Sequence, residues 1–158
     1  DQEAVRQLCK TRAVKAALLH HRKELQATYA LYARADKLEV GGHASTMSLK
    51  ELMDLLEETR VLDLKITPRL ITEAFVHVNI EDELYVNLDD KDTRTELVYD
   101  EFTELLVRIA REKLNTDELE VDFGVALDTW LGIDFVPRAR NARQRRLGVG
   151  TAAGGRGA

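Results

Sequence analysis

From residue 3 to about residue 34, apolar side chains recur at helical steps: Val5, Leu8 and Cys9, then Val14, Leu18, Leu25, Tyr29 and Tyr32. Lysines and arginines fill the positions between them, and neither proline nor glycine interrupts the run. The pattern predicts one amphipathic helix, or two separated by a bend near His20-His21. Four further stripes follow at the same spacing. They are Leu49, Leu52, Met53 and Leu56; Ile71, Ala74, Phe75 and Val78; Phe102, Leu105, Leu106 and Ile109; and Leu119, Phe123, Leu127 (with Ala126), Trp130 and Leu131. Strand-like alternation is confined to short pieces, so the expected class is all-α.

Punctuation residues place the helix ends. Ser48 and Glu51 have the spacing of a capping box, in which hydroxyl and carboxylate satisfy amide groups that a first turn leaves unpaired. Thr67-Pro68 opens a helix, because a proline in the first turn removes an N–H that would be unpaired anyway. The helix after it is expected to end near Val78. The stripe from Phe102 runs to about Leu114, and Thr116 then caps a fifth helix whose first turn carries Asp117 and Glu118, suited to the positive end of the helix dipole. Leu62, Leu64 and Ile66 alternate as apolar anchors of a connector. Gly132 is expected to end the fifth helix, with Ile133 to Pro137 an extended apolar tether.

Two long polar segments separate the paired stripes, and their ends echo each other. Met47-Ser48-Leu49-Lys50-Glu51-Leu52 and Leu97-Val98-Tyr99-Asp100-Glu101-Phe102 each place an apolar residue, three spacers, a glutamate and an apolar residue ahead of a helix. This resembles the second half of an EF-hand, where position 8 of a loop of about 12 residues pairs as a short strand and the glutamate at position 12 binds calcium bidentately. The resemblance implies an EF-hand-like helix-loop-helix pair, similar to calmodulin, with a short strand pair near Met47 and Leu97.

The first halves of the loops depart from that pattern. Counted from the entering helices, the loops span residues 33–51 and 79–101 instead of the regular length. Counting back from Glu51 puts Val40, Gly42 and Ala44 at positions 1, 3 and 5, none with a side-chain oxygen, whereas a hard cation needs six or more oxygens converging. In the second loop the same register gives Asp90, Asp92, Arg94 and Thr95 at positions 1, 3, 5 and 6. An arginine and a threonine stand where an oxygen ligand and a glycine are required, and the arginine can pair with the neighbouring acids in place of an ion. No metal and no other cofactor is therefore expected. The alternative is a calcium-binding regulatory sensor in which Asp90, Asp92 and Glu101 hold the ion. Leu84, Val86 and Leu88 share one face of a strand-like insert that can pair with residues 95–99. That projecting segment, with Leu84, Tyr85 and Val86, is the expected place of partner contact.

Composition narrows the classes further. At 158 residues and 44% hydrophobic content, the chain can bury a sizeable core without staples. One cysteine, Cys9, excludes an intrachain disulfide framework and favours a reducing compartment. No apolar run approaches about 18 residues, and no signal peptide opens the chain, so neither a membrane span nor secretion by that route is expected. The chain opens on Asp1 instead of methionine, which suits a fragment of a longer protein. His20 and His21 raise a metal reading, but neighbours on a helix point about 100° apart, so solvated or partly packed histidines are expected.

Net charge is unevenly spread. The 21 residues from Arg138 carry six arginines and no acid, so a total of −5 leaves the rest at −11. Arg138 to Arg146 could be helical, and could contact tubulin's acidic surface, nucleic acid or the acidic body of the chain, but a solvated linker leading into a disordered, glycine- and alanine-rich end is the main expectation. No aromatic interleaving or base-reading motif points to specific nucleic-acid binding. Motifs for phosphate cradling, a nucleophile elbow, HExxH zinc chemistry or dinucleotides are missing, so no enzymatic activity is expected.

The expected organisation is a helical arm over residues 1–23, a paired EF-hand-like domain over 24–114, a fifth helix and apolar tether over 115–137, and a basic tail over 138–158. The arm folds back on the domain or zips against a partner helix. The fifth helix plugs the groove between the paired units, or Trp130 and Phe135 anchor another chain, since aromatic residues dominate interface hot spots. A narrower likeness to degenerate EF-hand regions of large algal or protist ciliary proteins implies a cytoplasmic docking module with a protein partner, such as a helix or a cytoskeletal or axonemal component.

Overall fold

The computed structural model of the chain describes residues 2–34, 46–83 and 96–148, and it is mostly helical. In chain order the elements are α1 (Gln2–Lys10), α2 (Arg12–His20), α3 (Arg22–Ala33), β1 (Met47–Ser48), α4 (Leu49–Glu58), α5 (Pro68–Glu83), β2 (Glu96–Leu97), α6 (Tyr99–Leu114), α7 (Thr116–Leu119), α8 (Phe123–Trp130) and α9 (Val136–Leu147). A π turn, Leu131–Phe135, joins α8 to α9 without a break.

The N-terminal stripe is divided twice. Thr11 ends α1 by donating its hydroxyl hydrogen to the Leu8 carbonyl and starts α2 by accepting from the Val14 amide. A threonine that can serve both helix ends offers the backbone an exit that the apolar periodicity does not register. The second division falls at His21, where φ and ψ are −102° and 10°. The arm folds back: α1 packs on α6 and α2 lies along α8.

Two helix–strand–helix units form the centre. β1 and β2 pair antiparallel with Met47 opposite Leu97, as expected, and both side chains are buried. Ser48 and Glu51 form the capping box, with Glu51 accepting from the Ser48 amide at 2.8 Å and Ser48 accepting from the Glu51 amide at 3.1 Å. Thr67 caps α5 by accepting from the Leu70 amide. Ile71, Ala74, Phe75 and Val78 are buried on α5, and Phe102, Leu105, Leu106 and Ile109 on α6. α5 continues to Glu83, into residues that the loop register assigned to the second loop.

The connector differs from the alternating reading. Val61 and Ile66 are buried but Leu64 is fully exposed. Asp63 turns the chain by accepting from the amides of Lys65 and Ile66, so the segment has no strand faces and Leu64 stands on the turn. Those two amides, Ile66's foremost, together with the Lys113 ammonium, hold the Asp63 carboxyl down at about 2.

The largest departure lies beyond Leu114. Asn115 and Glu120 adopt left-handed backbone conformations, so α7 is a single short turn and α8 starts afresh with Asp122 as its cap. Gly132 does not end the helix, and residues 133–137 are not an extended tether. The Val136 amide donates to the Leu131 carbonyl, five residues back. This widening comes just before Pro137, whose ring would otherwise meet the carbonyl four residues earlier. The helix thus survives its proline, and residues 138–147 belong to α9 instead of a disordered tail. Residues 149–158, the remainder of that tail, lie outside the described residues.

Candidate functional site

The strand pair gathers groups from both units. The Tyr29 hydroxyl, carried by α3, donates to the Leu97 carbonyl at 2.7 Å, tying the entering helix of the first unit to the strand of the second. Its ring meets Tyr99 edge-on and leans on Phe102. Burial, then the charges of Glu101, Glu96 and Glu51, push the Tyr29 hydroxyl up to about 12, so it stays a donor at neutral pH. The Thr46 hydroxyl donates to Glu96 at 2.8 Å. Thr46 and Ser48 of the first unit thus each face Glu96 across the strand pair.

The two glutamates singled out as loop-terminal ligands have local work here. Glu51 is fully buried and accepts from the Ser48 amide, and Glu101 accepts from the Val98 amide at 2.8 Å. Val98 has no side-chain oxygen, so the second cap is one-sided where the first is reciprocal. Asp90, Asp92, Leu84, Tyr85 and Val86 lie outside the described residues.

Trp130 and Phe135 fall elsewhere. They are 4% and 1% exposed and stack on each other with ring centroids 5.5 Å apart, Trp130 just before the π turn and Phe135 its last residue. The reading of these two rings as anchors for another chain is corrected, because both are core: Trp130 follows its stripe position, and Phe135 is buried because the helical run continues through residues 131–135 instead of becoming an extended tether. Cys9 is also inert by environment, since burial and then Glu104 push its thiol up to about 11. A cleft of about 550 Å³ opens beside α1 and α6, lined by residues that include Thr11, Arg111, Glu112, Asp117 and Phe123; Thr11 is engaged there as a helix cap.

Sequence reasoning missed the role of α9. Val136, Ala139 and Ala142 make its buried face, and α9 packs on α3 and α4. Arg143 reaches Glu24 and the Thr28 hydroxyl, both at 2.5 Å, and Arg140 meets the other Glu24 oxygen at 2.7 Å. Arg146 forks onto both oxygens of Glu58 at 2.8 and 2.6 Å, with its guanidinium over the Tyr32 ring and the Tyr32 hydroxyl on the same carboxylate. Bidentate arginine–carboxylate pairing of this kind fixes geometry as well as adding energy. The available signal was the step of three from Val136 through Ala139 to Ala142, weak because alanine adds little to an apolar pattern.

These pairs carry an acid-sensitive part of the stability. Hydrogen bonds from Arg143 and Arg140 hold the Glu24 carboxyl below its ordinary range, and the hydrogen bond from Arg146 does the same for Glu58. A lowered folded value gives stability that is present above the unfolded carboxylate value of about 4.3 and lost as pH falls through the folded one. Urea unfolding at pH 6 and pH 3 should therefore show a smaller acid loss in Glu24→Gln/Glu58→Gln than in the parent. Equal losses would mean that the clamp does not titrate this way.

Comparison with family models, curated proteins and solved structures returns no match to this chain.

Proposed function

We propose that this chain is a degenerate EF-hand pair working as a calcium-independent protein–protein interaction module. The observation that carries the reading is the use of Glu51 and Glu101 as helix caps, both on backbone amides at 2.8 Å, around a strand pair locked by Tyr29. A carboxylate that already satisfies its own helix start has a reason to be there without an ion. The missing oxygens at positions 1, 3 and 5 of the first loop, and the arginine at position 5 of the second, support the same reading.

Occupancy of the helix faces suggests where a partner binds. α8 and α9 cover α2, α3, α4 and α6 from within the chain, as a bound target helix does in calcium sensors. A partner then meets the segment ahead of β2, and Leu84, Tyr85 and Val86, which lie outside the described residues, are the proposed contacts. The module is non-enzymatic in this reading.

Calorimetric titration of the full chain with calcium is the test. No heat of binding is expected up to millimolar ion. Micromolar uptake that is lost in Glu101→Gln would replace this reading with that of a calcium sensor using Asp90, Asp92 and Glu101.

A further inference from the structure

Independently of that reading, the contact between α2 and α8 brings two adjacent histidines onto an aspartate more than a hundred positions away in sequence. His20 Nδ1 lies 2.9 Å from Asp128 Oδ1, and His21 Nε2 lies 3.0 Å from the same oxygen. The three ligand atoms all fall within 4.8 Å of one another. The expectation that adjacent histidines diverge assumes a continuous helix. His20 is the last residue of α2, but His21 sits at the break before α3, with a backbone outside the helical region. One ring then engages through its near nitrogen and the other through its far one, and both reach a single carboxylate.

The opposing helix is shaped for this approach. Gly124, Asp128 and Gly132 recur every four residues, so they share one face of the helical run. A Cβ on Gly124 would collide with Ala13 of α2, and one on Gly132 would lie 3.3 Å from the His21 ring. The two glycines let α2 lie close enough for the imidazoles to meet the aspartate between them. The Asp128 carboxyl is held below its ordinary range, mainly by its hydrogen bond from His20.

We propose that His20, His21 and Asp128 form a binding site for one divalent transition-metal ion, zinc by ligand chemistry. Two imidazoles and a carboxylate suit zinc better than calcium or magnesium, which prefer all-oxygen shells. In a tetrahedral site with bonds of about 2.0–2.2 Å, neighbouring ligand atoms stand about 3.3 Å apart. The present N···O separations are a few tenths of an ångström short of that, so small ring movements open the space for the ion. Each neutral imidazole turns the nitrogen that now donates to Asp128 into a lone-pair donor by moving its proton to the other ring nitrogen. Water takes the fourth position, since the His20 side chain is 67% exposed and that of Asp128 42%. The bound ion joins the α2–α3 junction to α8.

The test is zinc titration of the chelator-stripped full chain by calorimetry, with cobalt as the spectroscopic surrogate. One ion per chain at roughly micromolar affinity is expected, and cobalt should show the intense visible absorption of four-coordination. His20→Ala and Asp128→Asn should each weaken uptake by about tenfold or more. Both replace partly exposed side chains, and circular dichroism checks that the variants fold. His43→Ala and His77→Ala, which remove the other two histidines, should leave uptake unchanged. The proposal is overturned by no uptake at about 100 µM zinc, or by uptake that survives His20→Ala and Asp128→Asn unchanged.

Discussion

Gly124→Val is expected to lower the unfolding free energy by about 3 kcal/mol, which is roughly 6–12 °C in melting temperature for a chain of this size. The reason is the separation of α2 and α8 at their crossing. A Cβ at position 124 would stand 3.0 Å from the Ala13 carbonyl carbon and 3.1 Å from its Cα, besides colliding with the Ala13 methyl. Two of those three atoms are backbone, so no side-chain rotation relieves the contact and α2 has to move as a body. Such a shift also draws His21 away from Asp128. Thermal unfolding followed by circular dichroism measures the loss. Val125→Ala serves as the control because Val125 is 60% exposed. A Gly124→Val chain that melts with the parent would mean the two helices are not packed this closely.

The second large effect concerns the last helix. Arg143→Ala combined with Arg146→Ala should cost about 2–4 kcal/mol, using the usual range for hydrogen bonds to charged groups. Arg143 is the better buried, at 14% side-chain exposure against 28% for Arg146, and it also donates to the Glu24 carbonyl and the Thr28 hydroxyl. Its loss therefore leaves a partly buried carboxylate with one fewer partner. The loss should be local. Backbone amides of residues 138–147 should exchange with solvent much faster in the double variant, while those of α5 and α6, which do not rely on α9, keep their protection. Exchange that rises uniformly, or not at all, would show that arginine pairing does not hold this helix down.

The contrast between these regions explains what the sequence could convey. Helices built on Leu, Ile, Phe and Tyr declare themselves, and the stripes ending in Leu56, Val78 and Ile109 mark faces that are buried in the structure. Caps are also legible, because Ser48 with Glu51 and Thr67 before Pro68 act within three residues of themselves. The break at Asn115 was legible, but those at Thr11 and Glu120 were not, since a threonine cap and a left-handed residue compete there with an apolar rhythm that continues through them.

Long-range pairing was hidden for a different reason. The buried face of α9 is mostly alanine, and its attachment comes from arginines that read as solvated until Glu24 and Glu58 are placed beneath them. The Gly124–Asp128–Gly132 row has the same character. Its meaning depends on α2 lying across it, and one helix alone cannot reveal that.

In the proposed function, packing and their own caps hold the two helix–strand–helix units together, with calcium at neither loop. Thermal unfolding of the full chain in EGTA and in millimolar calcium, with zinc excluded from both, tests it most directly. An ion at 100 times its dissociation constant stabilises the folded state by about 2.7 kcal/mol, or roughly 5–10 °C here. Coincident melting curves are expected, and a calcium-dependent rise of that size would mean that an ion is part of the fold.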